Sequence, residues 1–270
     1  MPELPEMETY RTLAEERVQG RRVTDVEVNR EKCVNMETEQ FREQIRGWQV
    51  TAVDRRAKHL LFRLETGKIL LVHLMLGGWM YYGSGESDRP GHSAQVVLTF
   101  GENHLYFLGL RFGYVHLLNE WEAEEQLADL GPEPLSGNWT EEGFRNLIGE
   151  KRGVLKNTLV DQHFIAGIGN RYSDEICFRA QQSPLKKCTK LSVEDIDAIY
   201  AAVPETLEES IENGGYMSRP FFEGDTFTGG FGRKLKVYNR EGKSCERCGH
   251  VIVKEKMSSR KVFYCPGCQK

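Results

Sequence analysis

The first half of the chain consists of short apolar runs, the first of which, at residues 22–28, alternates between apolar and polar positions. Alternation of this kind predicts half-buried β-strands, because successive side chains of a strand point to opposite faces. A helical pattern at residues 6–18 precedes the runs, and Pro5 suits the start of that helix. Short strands at near-regular spacing predict an antiparallel β-sandwich with flanking helices. The strands are expected at residues 22–28, 49–53, 60–64, 69–73, 94–100 and 105–107.

The second half changes to helical periodicity and helix-capping signals after the turn segment Gly131-Pro132-Glu133-Pro134. A glycine-rich segment at residues 214–232 predicts a mobile loop. Residues 251–256 and 261–264 predict the two strands of a hairpin. The helices are expected at residues 140–148, 154–160, 170–180 and 192–213.

Three domains follow from this change of pattern, in a multidomain chain of the α+β class. Residues 1–131 are expected to form the β-sandwich domain, residues 132–232 a helical domain that includes the loop, and residues 233–270 a hairpin module. With 39% hydrophobic and 28% charged residues, the 270-residue chain can bury a packed core. No window reaches the roughly 18 uncharged apolar residues of a membrane span, and the first residues are acidic. We therefore expect a cytoplasmic protein that does not associate with membranes.

Charge is distributed unevenly along the chain. The formal net charge is −4, but residues 233–270 carry eleven Lys or Arg against three Glu, a formal +8, which leaves −12 for residues 1–232. A basic module on an acidic body predicts a face that binds a polyanion. A solvated charged tail would explain the same distribution, so charge alone leaves both interpretations open.

Four of the seven cysteines lie in the last 26 residues as two Cys-x-x-Cys pairs. Cys245 and Cys248 form one pair, Cys265 and Cys268 form the other, and sixteen residues separate the pairs. Four thiolates at this spacing are typical of a tetrahedral Zn²⁺ site, and a site with no open position is structural. Redox-active or disulfide-bonded pairs are the alternatives, but cytosolic proteins rarely carry structural disulfides. One structural Zn²⁺ is therefore expected, and the other three cysteines are interpreted as ordinary thiols.

The opening segment carries a candidate nucleophile. Proline as the second residue permits removal of Met1, which exposes a secondary amine at Pro2. An α-amino group has a pKa of roughly 7.7–8, against about 10.4 for lysine, so more of it is an unprotonated nucleophile at neutral pH. Attack on a sugar C1′ gives an iminium ion, whose positive charge favours elimination of a phosphate. Glu3 and Glu6 can supply the proton transfers, although such residues can also simply favour a helix N-terminus.

Separated motifs occur in order along the whole chain. They are Met1-Pro2-Glu3-Leu4-Pro5-Glu6, Arg55-Arg56-Ala57-Lys58, Arg111-Phe112-Gly113, Leu130-Gly131-Pro132-Glu133-Pro134, Gly167-Ile168-Gly169-Asn170 and the terminal Cys-x-x-Cys pairs. Together they resemble the motifs of the formamidopyrimidine-DNA glycosylase/endonuclease VIII (Fpg/Nei) family, most closely its formamidopyrimidine branch. The resemblance implies a bifunctional DNA glycosylase and abasic-site lyase of base excision repair, acting through a proline Schiff base and β,δ-elimination. The implied partner is damaged double-stranded DNA, bound by a monomer at the bacterial nucleoid.

The resemblance also implies which residues are catalytic. Pro2 would displace the base and form the Schiff base, Glu3 would donate the proton, and Glu6 would support that site. Lys58 would serve proton transfer and phosphate binding during β-elimination. Arg260 would grip the phosphates that flank the lesion and take part in δ-elimination. Without the resemblance, Lys58 and Arg260 would be interpreted as ordinary surface cations.

A second group of residues matches positions at which the family contacts DNA. Residues 154–180 resemble its helix–two-turn–helix, in which Gly167 and Gly169 let the backbone approach a phosphate and Asn170 begins the next helix. Without the resemblance, Asn170 could simply cap a buried turn. A histidine at a strand end, such as His73, often has its ring nitrogens hydrogen-bonded to backbone groups. Phosphate contacts weaken with salt and carry no information about the lesion. The implied residues are His73, His92, Arg111, Lys151, Asn170 and Arg219.

The chain departs from the family at the positions that fill the space left by the extruded base. The family's HLGMSG reads His73-Leu74-Met75-Leu76-Gly77-Gly78, and its DPRRFG reads Leu108-Gly109-Leu110-Arg111-Phe112-Gly113. Leu76 replaces a methionine, Leu110 replaces the arginine that meets the orphaned cytosine, and Phe112 can still wedge between bases. Leucines can fill the void but cannot donate hydrogen bonds. A weaker preference for lesions paired with cytosine is therefore expected.

Two other functions fit part of the sequence. A catalytically weak or inactive lesion-binding protein would keep the same scaffold. Pure binding needs no amine nucleophile, however, so Pro2 with its two glutamates favours the enzyme. A zinc-ribbon transcription accessory would explain only residues 233–270. The loop at residues 214–232 leaves the lesion itself open, because Gly229-Gly230-Phe231-Gly232 replaces the family's GYFQ.

Overall fold

The chain divides into two compact units. The computed structural model describes residues 1–257 and 259–270, apart from the side chain of Glu86. Among these residues, no helix combines the length and the apolar character that crossing a membrane requires. Unit 1 comprises Met1–Ala128 and Asn213–Gly230, and unit 2 comprises Asp129–Glu212 and Phe231–Lys270.

Unit 1 contains eight strands in two antiparallel four-stranded sheets. The strands are β1 (Asp25–Val28), β2 (Val50–Arg56), β3 (His59–Leu64), β4 (Ile69–His73), β5 (Trp79–Ser84), β6 (Ala94–Phe100), β7 (Asn103–Leu108) and β8 (Tyr114–Leu118). Their order is β1-β6-β7-β5 in one sheet and β2-β3-β4-β8 in the other. Phe62 of β3 and Phe107 of β7 meet edge to face with ring centroids 6.2 Å apart, so both sheets share one core. The predicted β-sandwich is confirmed.

Three helices flank this sandwich: α1 (Leu4–Val18), α2 (Thr38–Ile45) and α3 (Glu120–Leu127). Helix α1 buries Met7, Tyr10 and Ala14 in the shared core, and their three- and four-residue spacing places them on one helix face. The sequence pattern did not predict α2, α3, β5 or β8. Each of the two helices has eight residues, which is too short for a clear period. Strand β5 opens with Trp-Met-Tyr-Tyr and therefore lacks the alternation of a half-buried strand.

The turn between β2 and β3 fixes the position of Lys58. Arg56 pairs with His59 across the hairpin, so Ala57 and Lys58 form its two-residue turn. Ala57 has a φ of 53°, the left-handed conformation that such tight turns require. Lys58 therefore sits at the tip of a hairpin, where the backbone holds its position closely.

The segment Asn213–Gly230 belongs to unit 1, which differs from the predicted division that placed residues 214–232 in the helical domain. The reason is that an apolar side chain of the segment, Phe221, is buried in the core of unit 1. Phe221 is fully buried, its ring centroid lies 5.7 Å from that of Tyr10, and its carbonyl accepts the Tyr82 N–H at 2.6 Å. The Asp225 carboxylate in turn accepts the Phe221 N–H at 2.8 Å. The segment predicted as a mobile loop thus has a defined, hydrogen-bonded course along β5.

Unit 2 combines the predicted helices with the predicted hairpin. Its helices and strands are α4 (Glu141–Gly149), α5 (Leu155–Leu159), α6 (Asn170–Arg179), α7 (Val193–Glu212), β9 (Val253–Met257) and β10 (Arg260–Tyr264). Residues 233–270, predicted as a separate module, pack with these helices because buried carboxylates of α6 bind their backbone. The Asp174 carboxylate accepts the Phe263 N–H at 3.1 Å, and that of Glu175 accepts the Lys236 N–H at 2.8 Å.

Candidate active site and nucleic-acid interface

The first turn of α1 holds the predicted nucleophile beside two carboxylates. Pro2 is buried and directly precedes Glu3, which is the N-cap residue of the helix. The Glu3 N–H donates to Glu6 Oε2 at 2.8 Å, so the cap fixes the orientation of the Glu6 carboxylate. Glu3 and Glu6 are only 3% and 1% exposed. The structure therefore brings the three predicted residues together in a sheltered site.

The segment after α7 passes directly over Glu6. The Tyr216 N–H donates to Glu6 Oε1 at 3.1 Å, and the Tyr216 hydroxyl donates to the carbonyl oxygen of Met1. Gly215 has a φ of 66°, and a Cβ there would lie 2.7 Å from Glu6 Oε1. Glycine is needed at this position for both its conformation and the close approach. Tyr216 could not be predicted from the sequence, because nothing in its local pattern signals a contact with the N-terminus.

Lys58 and His73 occupy a buried polar region at the ends of β3 and β4. Lys58 is 5% exposed and His73 is 9% exposed. Burial and, to a smaller degree, the charge of Lys58 lower the pKa of His73 to about 4, so the imidazole is neutral at pH 7. Its Nδ1 accepts the Met75 N–H at 3.1 Å, which leaves the proton on Nε2. A neutral imidazole in this tautomer can donate one hydrogen bond to a phosphate oxygen.

Two exposed apolar side chains project from adjoining loops of unit 1. Leu76 is 60% exposed and Phe112 is 58% exposed. The loops touch at Gly109, whose φ is 65° and whose Cβ would lie 2.4 Å from the Gly77 carbonyl oxygen. The Arg111 guanidinium lies 5.4 Å from the centroid of the Phe112 ring. Large apolar groups exposed in this way suit insertion between bases.

Leu110 does not join this pair, contrary to the prediction that it fills the void. It is fully buried in the sandwich core. Its N–H donates to Gln95 Oε1 at 3.0 Å, and its carbonyl accepts the Cys33 thiol at 3.5 Å. The positive φ at Gly109 turns the chain so that the leucine points inward, where burial of its side chain is favourable. An arginine could not take this place without burying its charge.

His92 and Arg219 flank the same aromatic side chain of unit 1. The Arg219 guanidinium lies 4.6 Å from the ring centroid of Trp79, and the His92 ring meets Trp79 edge to face with centroids 6.3 Å apart. Both residues line a cleft of about 300 Å³ together with Tyr81. The structure thus brings together two of the predicted DNA-contacting residues, which the sequence places far apart.

In unit 2, Asn170 and Arg260 are linked through the hairpin. Asn170 is the first residue of α6, and its Nδ2 donates to the carbonyl oxygen of Lys261 at 3.1 Å. The neighbouring Arg260 is exposed and opens β10. Lys151 is partly exposed, with its Nζ 3.9 Å from the Asp161 carboxylate. These cations and the α6 N-terminus are typical partners of phosphate groups.

Sequence reasoning missed a buried ion pair that supports Asn170. Lys156 and Asp174 are fully buried, and Lys156 Nζ donates to Asp174 Oδ1 at 2.7 Å. Lys156 Nζ also donates to the carbonyl oxygen of Asn170. Breaking a buried pair of this kind leaves an uncompensated charge, so it fixes the start of α6. Its signal in the sequence is weak, since a single lysine in a helix is usually solvated.

The four predicted zinc ligands lie together at the end of the chain. The Sγ atoms of Cys245, Cys248, Cys265 and Cys268 all lie within 4.8 Å of one another. The Sγ atoms of Cys248 and Cys265 are 3.4 Å apart, and those of Cys245 and Cys268 are 3.8 Å apart. Four sulfurs about 2.3 Å from a central ion would be separated by comparable distances. The donor set and its size therefore fit Zn²⁺.

Comparisons with known proteins cover the whole chain. Family models match residues 1–115 (Formamidopyrimidine-DNA glycosylase N-terminal domain), 130–221 (Formamidopyrimidine-DNA glycosylase H2TH domain) and 242–270 (Zinc finger found in FPG and IleRS). A formamidopyrimidine-DNA glycosylase of Pelotomaculum thermopropionicum is 38% identical, over 100% of this chain and 99% of the relative. One of Desulfitobacterium hafniense is 34% identical over 100% of both chains.

Solved structures agree with these relatives. A point mutant of the Lactococcus lactis Fpg in complex with a Fapy-dG containing DNA has a TM-score of 0.92 and 29% identity over 100% of both chains. The Lactococcus lactis Fpg in complex with an abasic site containing DNA has a TM-score of 0.92 and 29% identity over 99% of both chains.

The fold, the three domain matches and the full-length relatives define a zinc-finger DNA glycosylase and abasic-site lyase. The chain belongs to the formamidopyrimidine-DNA glycosylase family, which confirms the resemblance seen in the sequence.

Proposed function

We propose that the protein removes oxidised or otherwise damaged bases from duplex DNA and then cleaves the abasic site by β,δ-elimination, with the amine of Pro2 as nucleophile. One observation carries this proposal: Pro2 is buried next to a pair of carboxylates, those of Glu3 and Glu6. The Glu3 N–H donates to the Glu6 carboxylate at 2.8 Å, which holds the pair together. The DNA complexes of the Lactococcus lactis relatives, with Fapy-dG and with an abasic site, support the same substrate class.

The proposed reaction begins with the unprotonated amine of Pro2. Its lone pair attacks C1′, the bond from C1′ to the base breaks, and the base takes a proton from Glu3. The proton lost by the Pro2 nitrogen passes to the carboxyl pair and from there to O4′. As the C1′–O4′ bond breaks, its electron pair stays on O4′ and the nitrogen lone pair forms the C1′=N⁺ bond. Lys58, at its hairpin tip, would then assist elimination of the phosphate.

Phosphate binding is proposed for the neutral His73 and for six further polar or basic residues described above. In unit 1 these are His73, His92, Arg111 and Arg219, and in unit 2 they are Lys151, Asn170 and Arg260. We propose that the protein works as a monomer on bacterial DNA, because each predicted role is filled by a residue of one chain. Contacts of this kind make binding strongly dependent on salt.

The zinc ion is proposed to be structural. Four cysteine ligands leave no open coordination position for a substrate or a water molecule. The ion would hold β9 and β10 in place, and with them the exposed Arg260. A coordinated hairpin of about thirty residues has little core of its own, so its folding depends on the metal.

Trapping with borohydride tests the proposed function against the alternative of a lesion-binding protein that lacks catalysis. Borohydride reduces an iminium ion to a stable amine, so the enzyme is expected to form a covalent adduct with an abasic-site duplex. A duplex containing a tetrahydrofuran residue lacks the aldehyde and should be bound without being trapped. Binding of both duplexes with no adduct on either would establish the alternative.

We also expect a weak preference for the base opposite the lesion. Leu76 and Phe112 are the exposed apolar groups at the wedge, and neither donates a hydrogen bond from its side chain. The exposed Arg111 beside Phe112 is assigned to phosphate binding. The buried Leu110 contributes no donor either. A bidentate contact to a base is worth about 1–3 kcal/mol, or roughly 5- to 150-fold in discrimination. Without it, single-turnover excision of 8-oxoguanine should vary by less than about fivefold among the four opposite bases.

The measurement is a set of single-turnover excision rates on four duplexes that differ only at the opposite base. The undamaged duplexes serve as controls for nonspecific cleavage. A rate with cytosine that exceeds the other three by two orders of magnitude or so would contradict the prediction. Such a result would mean that another group reads the orphaned base.

A further inference from the structure

We propose that Tyr216 is a further catalytic residue, whose hydroxyl donates a hydrogen bond to O4′ of the sugar while the ring opens. The inference rests on the proposed function, because it requires Pro2 to be bonded to C1′. It assigns a chemical role to a side chain that none of the sequence motifs includes.

Two hydrogen bonds place Tyr216 at the N-terminus. The backbone N–H donates to Glu6 Oε1 at 3.1 Å, and the side-chain hydroxyl donates to the carbonyl oxygen of Met1. The backbone contact holds the Tyr216 nitrogen beside Glu6, and the close approach of Gly215 to Glu6 fixes the path of the preceding residue. The backbone of Tyr216 is therefore held beside Glu6, and its side chain extends from there to Met1, the residue bonded to Pro2.

The carbonyl group of Met1 occupies the position that the sugar takes in the proposed covalent intermediate. Its carbon is bonded to the nitrogen of Pro2, and its oxygen is bonded to that carbon. In the intermediate, C1′ is the carbon bonded to the Pro2 nitrogen, and O4′ is an oxygen bonded to C1′. The Met1 oxygen thus stands in for O4′, two bonds from the same nitrogen. A hydroxyl that reaches the first oxygen is placed to reach the second once Met1 has been removed.

The hydrogen bond would matter most in the ring-opening step. As the C1′–O4′ bond breaks, its electron pair moves onto O4′, which becomes more negative until it takes its proton from the carboxyl pair. The nitrogen lone pair forms the C1′=N⁺ bond in the same step, so no other reactant is needed. A donor aimed at an oxygen that gains negative charge stabilises the transition state more than the ground state. Tyr216 keeps its own proton throughout.

The substitution Tyr216→Phe removes the hydroxyl and keeps the ring and the backbone contact with Glu6. We expect the single-turnover rate at which the borohydride-trappable adduct forms on a lesion duplex to fall by about 10²-fold, as for loss of one donor to a developing oxyanion. Release of the base precedes ring opening in the proposed reaction and should stay near the wild-type rate. Affinity for a duplex with a tetrahydrofuran residue should stay within about a factor of two, because the contact strengthens only during reaction. An abasic-site sugar opens without an enzyme, so adduct formation on abasic DNA should fall by much less.

Tyr200→Phe is the matched control. The Tyr200 hydroxyl donates to a backbone carbonyl, that of Trp139, at 3.2 Å, so the same group is removed from the same kind of acceptor. This residue lies on α7 in unit 2 and has no role in the proposed chemistry. The control should release the base and form the adduct on the lesion duplex at the wild-type rates.

Three results are distinguishable. Slow adduct formation on the lesion duplex, with intact binding and nearly normal trapping on abasic DNA, supports the role of Tyr216. Adduct formation on the lesion duplex by Tyr216→Phe at the rate of Tyr200→Phe overturns it. An equal loss on both substrates with weakened binding also overturns it, because that result indicates a structural role in the loop. A wild-type protein that neither excises nor traps refutes the proposed function itself, whatever the variants do.

Discussion

Blocking the amine of Pro2 is expected to reduce both base excision and adduct formation by at least about 10³-fold, because the lone pair of an acylated nitrogen is delocalised into the carbonyl group and does not attack C1′. The block can be retained Met1 or an added N-terminal tag. Pro2→Gly keeps an amine but loses the ring that holds it, so a smaller loss of about 10²-fold is expected from misplacement. Single-turnover excision and borohydride trapping measure both effects.

The control for this experiment restores the amine without changing any other residue. Protein that retains Met1 can be treated with methionine aminopeptidase, and activity should then return in proportion to the fraction of free Pro2 measured by mass spectrometry. Binding to a tetrahydrofuran duplex should be similar before and after treatment. Full excision by the tagged protein would mean that another group is the nucleophile.

Loss of the zinc ion is expected to weaken DNA binding by at least about 10²-fold, since we propose that the hairpin that carries Arg260 depends on the metal for its folding. Cys248→Ser is the most informative variant for removing a zinc ligand, because Cys248 is exposed and its replacement leaves no void in the core. Metal analysis should find about one equivalent of zinc in the wild type and much less in the variant. Chelation of the wild type should have the same effect on binding.

Cys188→Ser provides the comparison for the zinc experiment. Cys188 lies outside the four-cysteine cluster, and its Sγ is 3.3 Å from the Thr158 hydroxyl, a contact that serine can keep. This variant should retain its zinc and its affinity. Tight binding by zinc-free protein with an unchanged salt dependence would show that the hairpin does not contribute to the interface.

Much of the molecule could be predicted from local patterns. Short apolar runs at near-regular spacing predicted six of the eight strands of the sandwich. Cysteine spacing predicted the four-thiolate cluster, because two short turns fix the ligand positions. The carboxylate pair was also predictable. Glu3 and Glu6 are three residues apart at a helix start, where the backbone of one and the carboxylate of the other meet.

The rest depends on contacts that no local pattern encodes. The position of Leu110 in its motif suggested an exposed residue, but a positive φ at Gly109 and the hydrogen bond to Gln95 turn it into the core. The segment after α7 was assigned to the helical domain by its place in the chain, whereas Phe221 anchors it in unit 1. Tyr216 reaches Met1 across more than two hundred residues of sequence. Tertiary packing decides each of these cases.

The most direct test is to identify the atom that becomes bonded to the sugar. The borohydride-reduced adduct with abasic DNA can be digested with nuclease and protease, and the modified peptide can be sequenced by tandem mass spectrometry. We predict a peptide that begins at Pro2, lacks Met1 and carries the reduced sugar on its terminal nitrogen. A sugar attached to Lys58 or to another lysine, with the terminal amine unmodified, would contradict the account.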